Sequence, residues 1–223
     1  MYRFERKYYL PDHNYLRVRD QVLSHPLLFR PIFKERKVNN IYLDTPGLKF
    51  FYDNVEGEME RKKIRVRWYG ESFQHQEKLT LEYKIKKGLL GRKESYPLKN
   101  IDISPGFAFP QFRKQIRANK LPFMVTNEVT DLHPTLLNTY VREYFLSEDG
   151  SFRITLDREL HFYHLHAGKN MFRSEFNQGK DMVMEIKYDP EHETKIDTVT
   201  QGFPFRITKS SKYVIGIQNT IGA

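Results

Sequence analysis

Residues 62–70 read KKIRVRWYG, and within them Lys63, Arg65 and Arg67 alternate with Ile64, Val66 and Trp68. A period of two belongs to a β-strand, whose successive side chains point to opposite faces. One face of this strand is therefore wholly cationic and the other wholly apolar. The pattern recurs in KLTLEYKIKKG (78–88), where Lys78, Thr80, Glu82, Lys84 and Lys86 oppose Leu79, Leu81, Tyr83 and Ile85. It returns in RFERKYY, with Arg3, Glu5 and Lys7 against Tyr2, Phe4 and Tyr8. SFRITLD sets Arg153, Thr155 and Asp157 against Phe152, Ile154 and Leu156, and MVMEIKYD sets Glu185, Lys187 and Asp189 against Met184, Ile186 and Tyr188.

An ordinary antiparallel sheet with one wet face explains any one of these strands. It explains the set less well, because wet faces normally mix polar types and like charges on neighbouring strands destabilise a sheet. Cations two residues apart lie roughly 7 Å apart along a strand, and strands lie about 4.8 Å apart. Arg65, Arg67, Lys84, Lys86, Arg142, Arg153 and Lys187 all occupy such positions, and Glu5, Glu82 and Glu185 are too few to neutralise them. The pattern predicts a concave surface that holds phosphate. Its carboxylates, with a phosphate oxygen, offer the hard oxygen ligands that Mg²⁺ or Mn²⁺ prefers.

The chain has 223 residues, 37 Lys plus Arg against 28 Asp plus Glu, and a net charge of +9, a balance that favours polyanionic partners. With 39% hydrophobic and 14% aromatic residues it reads as globular rather than disordered. No run approaches the roughly 18 apolar residues of a membrane span. MYRFERKYYL carries no secretion-signal pattern, and the absence of cysteine excludes disulfides and thiolate metal sites, so a cytoplasmic location is expected.

Further elements complete the outline. DHNYLRVRDQVLSHP predicts a helix capped by Asp12 and stopped by Pro26, and NNIYLDTP (39–46) a short strand. GLKFFYD (47–53) is open between helix and strand. RKESYPL is the hairpin partner of 78–88 across the turn GLLGR. TYVREYFL (139–146) and SFRITLD flank the turn Ser147–Gly150, while 104–135 reads as helices or irregular connection. KSSKYVIGIQNTI predicts a terminal helix begun by Ser210 or Ser211. The sum is an α+β chain of about eight mostly antiparallel strands with a few helices, taken as one unit over 1–223.

The segments ERKYYL, IYLDTP, RKKIRVRWYG, LTLEYKIKKG, VREYF, RITLD, VMEIKYD and ITKSSKY occur in this order. In that order the chain resembles the catalytic domain of the vacuolar transporter chaperone (VTC) family, a polyphosphate polymerase among the CYTH-like triphosphate tunnel metalloenzymes. The resemblance implies a closed antiparallel tunnel of roughly eight strands with flanking helices. It implies phosphate contacts from Lys7, Arg65, Arg67, Lys84, Arg142, Arg153, Lys209 and Lys212, with Lys93 matching a further family lysine. Lys63 and Lys86 join by their faces. Arg65, Arg67, Arg153 and Lys187 would act on the transferring group, and Glu185, Glu82 and Glu5 would bind Mn²⁺ or Mg²⁺. The implied partners are a nucleoside triphosphate and inorganic polyphosphate. A narrow tunnel is unsuited to duplex nucleic acid, and nothing in the sequence identifies a protein partner.

Many hydrolytic relatives open with Glu-x-Glu-x-Lys, whereas here Arg3 stands in place of the first Glu, which favours the polymerase branch. A triphosphatase of the same fold and a non-catalytic polyphosphate-binding module are the alternatives. Glu185 could instead neutralise a tunnel arginine. Lys209 and Lys212 precede or open a helix, where cations oppose the helix dipole unless an anion sits there. His161, His164 and His166 fall on a segment expected to be irregular and to lack a carboxylate partner, so packing roles are expected rather than zinc. No Gly-rich phosphate loop is present.

Overall fold

The computed structural model describes residues 3–88, 90–173 and 175–221; Tyr2, expected on the apolar face of the first strand, and Leu89, in the expected turn, lie outside the described residues. The strands are β1 (Phe4–Leu10), β2 (Arg30–Pro31), β3 (Arg36–Asp44), β4 (Glu60–Tyr69), β5 (His75–Gln76) and β6 (Leu79–Lys87). They continue with β7 (Leu90–Leu98), β8 (Ile101–Asp102), β9 (His133–Leu146), β10 (Phe152–His164), β11 (Glu175–Asn177) and β12 (Met182–Tyr188). Eight of them form one antiparallel sheet in the order β1-β12-β10-β9-β3-β4-β6-β7, with β2 added to β9 and β11 to β10.

The expected closed tunnel is not formed. The sheet curls strongly into a half-barrel whose edge strands, β1 and β7, are not hydrogen-bonded to each other. The outer edge of β1 is engaged elsewhere: Thr208 donates its N–H to the Lys7 carbonyl at 2.8 Å, and Tyr9 N–H donates to Thr208 Oγ1 at 2.8 Å. Across the gap the contact is made by side chains, Lys84 Nζ lying 2.7 Å from a Glu5 oxygen. The α+β class and the eight-stranded antiparallel path stand; closure does not.

The apolar faces of the strands are covered from outside by two layers of helices. α1 (Tyr15–Leu23) and α5 (Ile196–Gln201) pack Val18, Val22, Ile196 and Val199 on Tyr8, Ile154, Leu156, Met184 and Ile186. α3 (Phe109–Arg117) and α4 (Phe123–Asp131) pack Phe109, Phe112, Ile116 and Val129 on Ile64, Val66, Leu79 and Leu81. The i, i+3, i+7 spacing of Phe109, Phe112 and Ile116 gives α3 its apolar stripe. Trp68 is core, as its face requires. The N-cap of α1 is Asn14, whose Oδ1 accepts from Arg17 N–H at 3.2 Å, and not Asp12; Asp12 has φ 48° and lies in the preceding turn. GLKFFYD begins a helix, α2 (Lys49–Glu56). Its free N–H groups at Phe50 and Phe51 are taken by the Asp44 carboxylate, each at 2.9 Å. That explains the acid in IYLDTP as a cap.

The concave side is divided. One end is filled by α6 (Lys212–Ile221), which sets Tyr213 and Ile217 against Tyr42, Leu136, Phe162 and Val183. Ser211 Oγ accepts the Val214 N–H at 3.4 Å, so it is the serine that starts the helix. Tyr213 also donates its hydroxyl to Asp44 at 2.6 Å, tying α6 to α2. Gly216 permits this docking, since a Cβ there would lie 2.3 Å from Leu136 Cδ2 and 2.6 Å from Phe162 Cδ1. Gly216→Ala is expected to destabilise the fold by about 1–3 kcal/mol through overpacking. An unchanged thermal midpoint in that variant would show that α6 is not seated this tightly.

Strand β10 runs seven residues beyond the expected end at 157, through HFYH. A bulge between Arg158 and His161, with Glu159 at φ 55°, shifts its register. Before the bulge odd-numbered residues face the concavity; after it Leu160 and Phe162 pack beside α6, and Tyr163 joins the outer core.

Candidate active site

The other end of the concave side is lined by charge, carried mainly by alternate residues of β1, β4, β6 and β12, with further contributions from β7, β9 and β10. On β4, Arg65 Nη2 lies 2.7 Å and Arg67 Nη1 3.6 Å from Glu82 Oε2 of β6. Lys93 of β7 pairs with the other Glu82 oxygen. Arg67 also donates through Nε to Asn40 Oδ1 at 2.8 Å and through Nη2 to the Tyr140 hydroxyl at 3.2 Å, which fixes its plane. Glu82 is thus a buried carboxylate held by three cations. Burial alone would raise its pKa, but Arg65 and Arg67 drive it well below the usual range.

A second group gathers β1, β12 and β6. Glu185 faces Lys187 at 2.9 Å, Lys7 at 3.4 Å and Arg142 at 3.9 Å. Glu5 meets Lys84 at 2.7 Å and Lys7 at 4.0 Å. The antiparallel register opposes Lys7 to Glu185 and Glu5 to Lys187, which interleaves the signs. Burial pushes the Glu5 carboxyl up, but Lys84, Lys187 and Lys7 outweigh it and hold its pKa at about 2 despite the nearby Glu185. Lys84 is lowered to about 8, by burial and by Lys7. Lys63 is also lowered well below its ordinary value, again by burial first and then by Lys7 and Lys84. Its only polar side-chain partner among the described residues is Ser211 Oγ at 2.9 Å. The cavity therefore carries more cationic than anionic side chains.

A third group lies at the foot of α6. Asp157 is fully buried, receives Arg142 through both Nε and Nη2 (the latter at 2.6 Å), and lies 2.5 Å from Lys212 Nζ. Sequence reasoning placed Asp157 on the charged face but gave it no role. Asn40 and Tyr140 were missed altogether, because uncharged polar residues in an apolar run leave no signal in a charge pattern.

Most of the expected residues are brought together: Lys7, Lys63, Arg65, Arg67, Lys84, Lys93, Arg142, Lys187 and Lys212 share the concavity with Glu5, Glu82 and Glu185. Lys86 faces the same side one step beyond Lys84, without an ion pair among the described residues. Arg153 opposes Lys187 in register but is exposed at the open end, and it too has no ion pair among the described residues. Lys209 is exposed on the segment before α6 and is not packed into the cavity. Arg3, in the place of the first Glu of the hydrolytic pattern, pairs with Asp189 at 3.0 Å at the rim.

The histidine expectation changes in one respect. His161 and His164 belong to β10, and His161 does have a carboxylate partner, Glu175, which also accepts from the Tyr163 hydroxyl at 3.0 Å. Even so, no group of three or more His, Cys, Asp or Glu placed to hold a metal occurs among the described residues.

Two carboxylates fit a divalent ion best. Glu5 and Glu185 lie on adjacent strands, face the same side and oppose each other's ionisation. The buried Thr155 Oγ1, cross-strand neighbour of Glu185, has no hydrogen-bond partner among the described residues and adds a free oxygen beside them. Mg²⁺ is commonly held by one or two carboxylates with substrate phosphates supplying the rest, so a set this small is compatible. Glu82 belongs instead to the arginine group.

A protein-family model, the VTC domain, matches residues 2–221. The chain belongs to the VTC domain family. Two solved structures share the fold over nearly the full length of both chains. One is a Vibrio parahaemolyticus protein described as a "putative adenylate cyclase" (16% identity, TM-score 0.51, 95% of this chain and 97% of that one). The other is the PH1819 protein of Pyrococcus horikoshii OT3 (15% identity, TM-score 0.53, 98% and 99%). At such identities the likeness concerns fold alone. No curated protein sequence matches the chain. No helix of the described residues is long and apolar enough to cross a membrane.

The charge groups of this VTC domain make its stability pH-dependent in a definite direction. Because the folded pKa of Glu5 lies near 2 against an ordinary 4.5, its contribution is complete above about pH 4.5 and is lost as pH falls toward 2. The thermal midpoint should drop steeply across that window, and Glu5→Gln should flatten the drop. Equal slopes in both proteins would remove Glu5 from the account.

Proposed function

We propose that this VTC domain is a metal-dependent polyphosphate polymerase that moves the γ-phosphoryl group of a nucleoside triphosphate onto the end of a polyphosphate chain. The supporting observation is the set of nine cationic side chains gathered around only four carboxylates on one concave face. In phosphoryl transfer the protein's work is positioning and charge stabilisation, since the reacting group passes through a transition state with charge spread over its oxygens. The terminal oxygen of the acceptor chain forms the new P–O bond as the bond to the β–γ bridging oxygen breaks, and the nucleoside diphosphate leaves with that electron pair.

Each side chain takes a part according to how it is held. Arg65 and Arg67, braced by Glu82, Asn40 and Tyr140, present rigid forks to the transferring group. Lys187 and the exposed Arg153 sit nearer the open end and receive the incoming phosphate. Lys7, Lys63, Lys84, Lys86, Lys93, Arg142 and Lys212 hold the remaining phosphates, and Lys209 guides the chain from outside. Glu185 and Glu5 would hold Mn²⁺ or Mg²⁺, which would neutralise charge on the bridging oxygens. The reading takes residues 1–223 as one catalytic unit working in the cytoplasm, where nucleoside triphosphates are present.

Arg3, in place of the first Glu of the hydrolytic pattern, supports transfer over hydrolysis, because Glu5 then has no second carboxylate two residues before it. The test is incubation of purified protein with ATP, Mn²⁺ and a short polyphosphate primer, followed by sizing of the product. Lengthened chains are expected. Orthophosphate released from tripolyphosphate without lengthening would select the triphosphatase. Tight binding without turnover, unaffected by Glu185→Ala, would select a binding module.

A further inference from the structure

At the open end of the cavity, three aromatic rings surround one guanidinium. Arg36 Cζ lies 4.5 Å from the Phe33 ring centroid, 5.7 Å from that of Tyr69 and 5.8 Å from that of Tyr144. Phe33 and Tyr144 meet edge to face, their centroids 5.6 Å apart. Two of the rings remain open to solvent: Phe33 is 47% and Tyr69 49% exposed. Rings that served only to close the core would be covered, as Trp68 beside them is. Arg36 is itself unusual, since the register sets it directly opposite Arg142 and it has no ion pair among the described residues. Arg142 is compensated by Asp157, whereas Arg36 is left with the rings alone.

The position of these rings relative to the phosphate cations decides what they fit. Tyr69 follows Arg67, Arg65 and Lys63 on the same face of β4, each step roughly 7 Å along the strand. Arg142 lies beside both Tyr140 and Tyr144. A ligand with a flat π-system at one end and a chain of phosphates at the other matches this order of groups. Bases stack on tyrosine and phenylalanine rings and on arginine planes, with little dependence on which base is present.

We infer that Phe33, Arg36, Tyr69 and Tyr144 form a nucleobase ledge at the cavity mouth, which seats the base of the donor nucleotide while its phosphates run inward along Arg67, Arg65 and Lys63. The inference rests on the reading that a nucleoside triphosphate is the donor, and it adds a reason for choosing a nucleotide over a bare inorganic triphosphate. Because every base has a π-face, the ledge accepts nucleotide donors broadly and selects for the presence of a base.

The test compares two probes, ATP and inorganic tripolyphosphate, each with Mg²⁺, titrated calorimetrically into the wild-type protein and into Tyr69→Ala and Phe33→Ala. Each side chain is half-exposed, so both variants should keep the wild-type thermal midpoint. ATP should bind about 10- to 100-fold more weakly to the variants, the effect of losing one stacked base, with tripolyphosphate affinity unchanged. Tyr69→Phe should restore ATP binding. Unchanged ATP affinity in both variants overturns the ledge, and so does an equal loss for both probes, which would mark a general effect on the mouth. A wild-type protein that binds neither probe refutes the phosphate-site reading itself, and with it this inference.

Discussion

Replacing Asp157 with alanine should cost the fold about 3–5 kcal/mol, the penalty for leaving a buried charge uncompensated. Two cations pair with this carboxylate, Arg142 and Lys212, and both are buried with it; Arg142 has a second, more distant carboxylate in Glu185 at 3.9 Å. For a chain of this size the loss corresponds to a fall of about 6–20 °C in the thermal midpoint. The origin of the loss can be told from simple cavity formation. If the cost is electrostatic, inorganic phosphate or tripolyphosphate should recover much of the lost midpoint by supplying the missing negative charge, and should do so more in Asp157→Ala than in the parent. Asp157→Asn, which keeps the volume, should be nearly as damaging. A variant within about 1 kcal/mol of the parent would mean that water reaches Arg142 and Lys212 and that the group is not buried in solution.

The second large effect concerns turnover. Arg67→Ala should lower the rate of phosphoryl transfer by about 10²–10³-fold, in line with the removal of one preorganised donor from a charge-stabilising site. Arg67→Lys should recover only part of it, because the ammonium cannot donate at once to Asn40, to Tyr140 and to a phosphate oxygen in one plane. The loss should fall mainly on kcat, since eight other cations still hold the substrate. If KM rises while kcat stays put, Arg67 serves ground-state binding alone, and the role given to it in the transfer step is wrong.

The fold was legible where charge and core alternate. β4, β6, β12 and the first half of β10 show unbroken period-two patterns, and each was placed on the correct face by counting alone. What could not be read was which strands meet at the edges. Closure depends on whether β1 and β7 find each other, and the pattern within a strand carries no information about that. The segment at Thr208, which occupies the outer edge of β1, looks in sequence like ordinary connection. The second half of β10 was lost for another reason: one residue with positive φ, Glu159, breaks the period, and a two-residue count ends there. In the site, cations and glutamates were visible because charge is conspicuous against an apolar background. Asp157, Asn40, Tyr140 and Arg36 were not, because their importance arises from burial or from cross-strand neighbours that only the folded register supplies.

The seam between β1 and β7 has a consequence for how any polymer would be held. In a sealed barrel a long chain must be threaded end-first and is linked with its host like a bead on a string. Here the wall on one side consists of Lys84 reaching to Glu5 and Lys63 reaching to Ser211, contacts between side chains and not rungs of a ladder. Partly exposed contacts of this kind contribute on the order of 1 kcal/mol or less each, and they part without unfolding a strand. Beside them the segment at Thr208 covers the outer edge of β1, and α6 fills one end of the concavity. A polyanion lying in the remaining part is gripped by charge but is not ringed by a continuous ladder of hydrogen bonds, so its host need not break a strand pairing to release it.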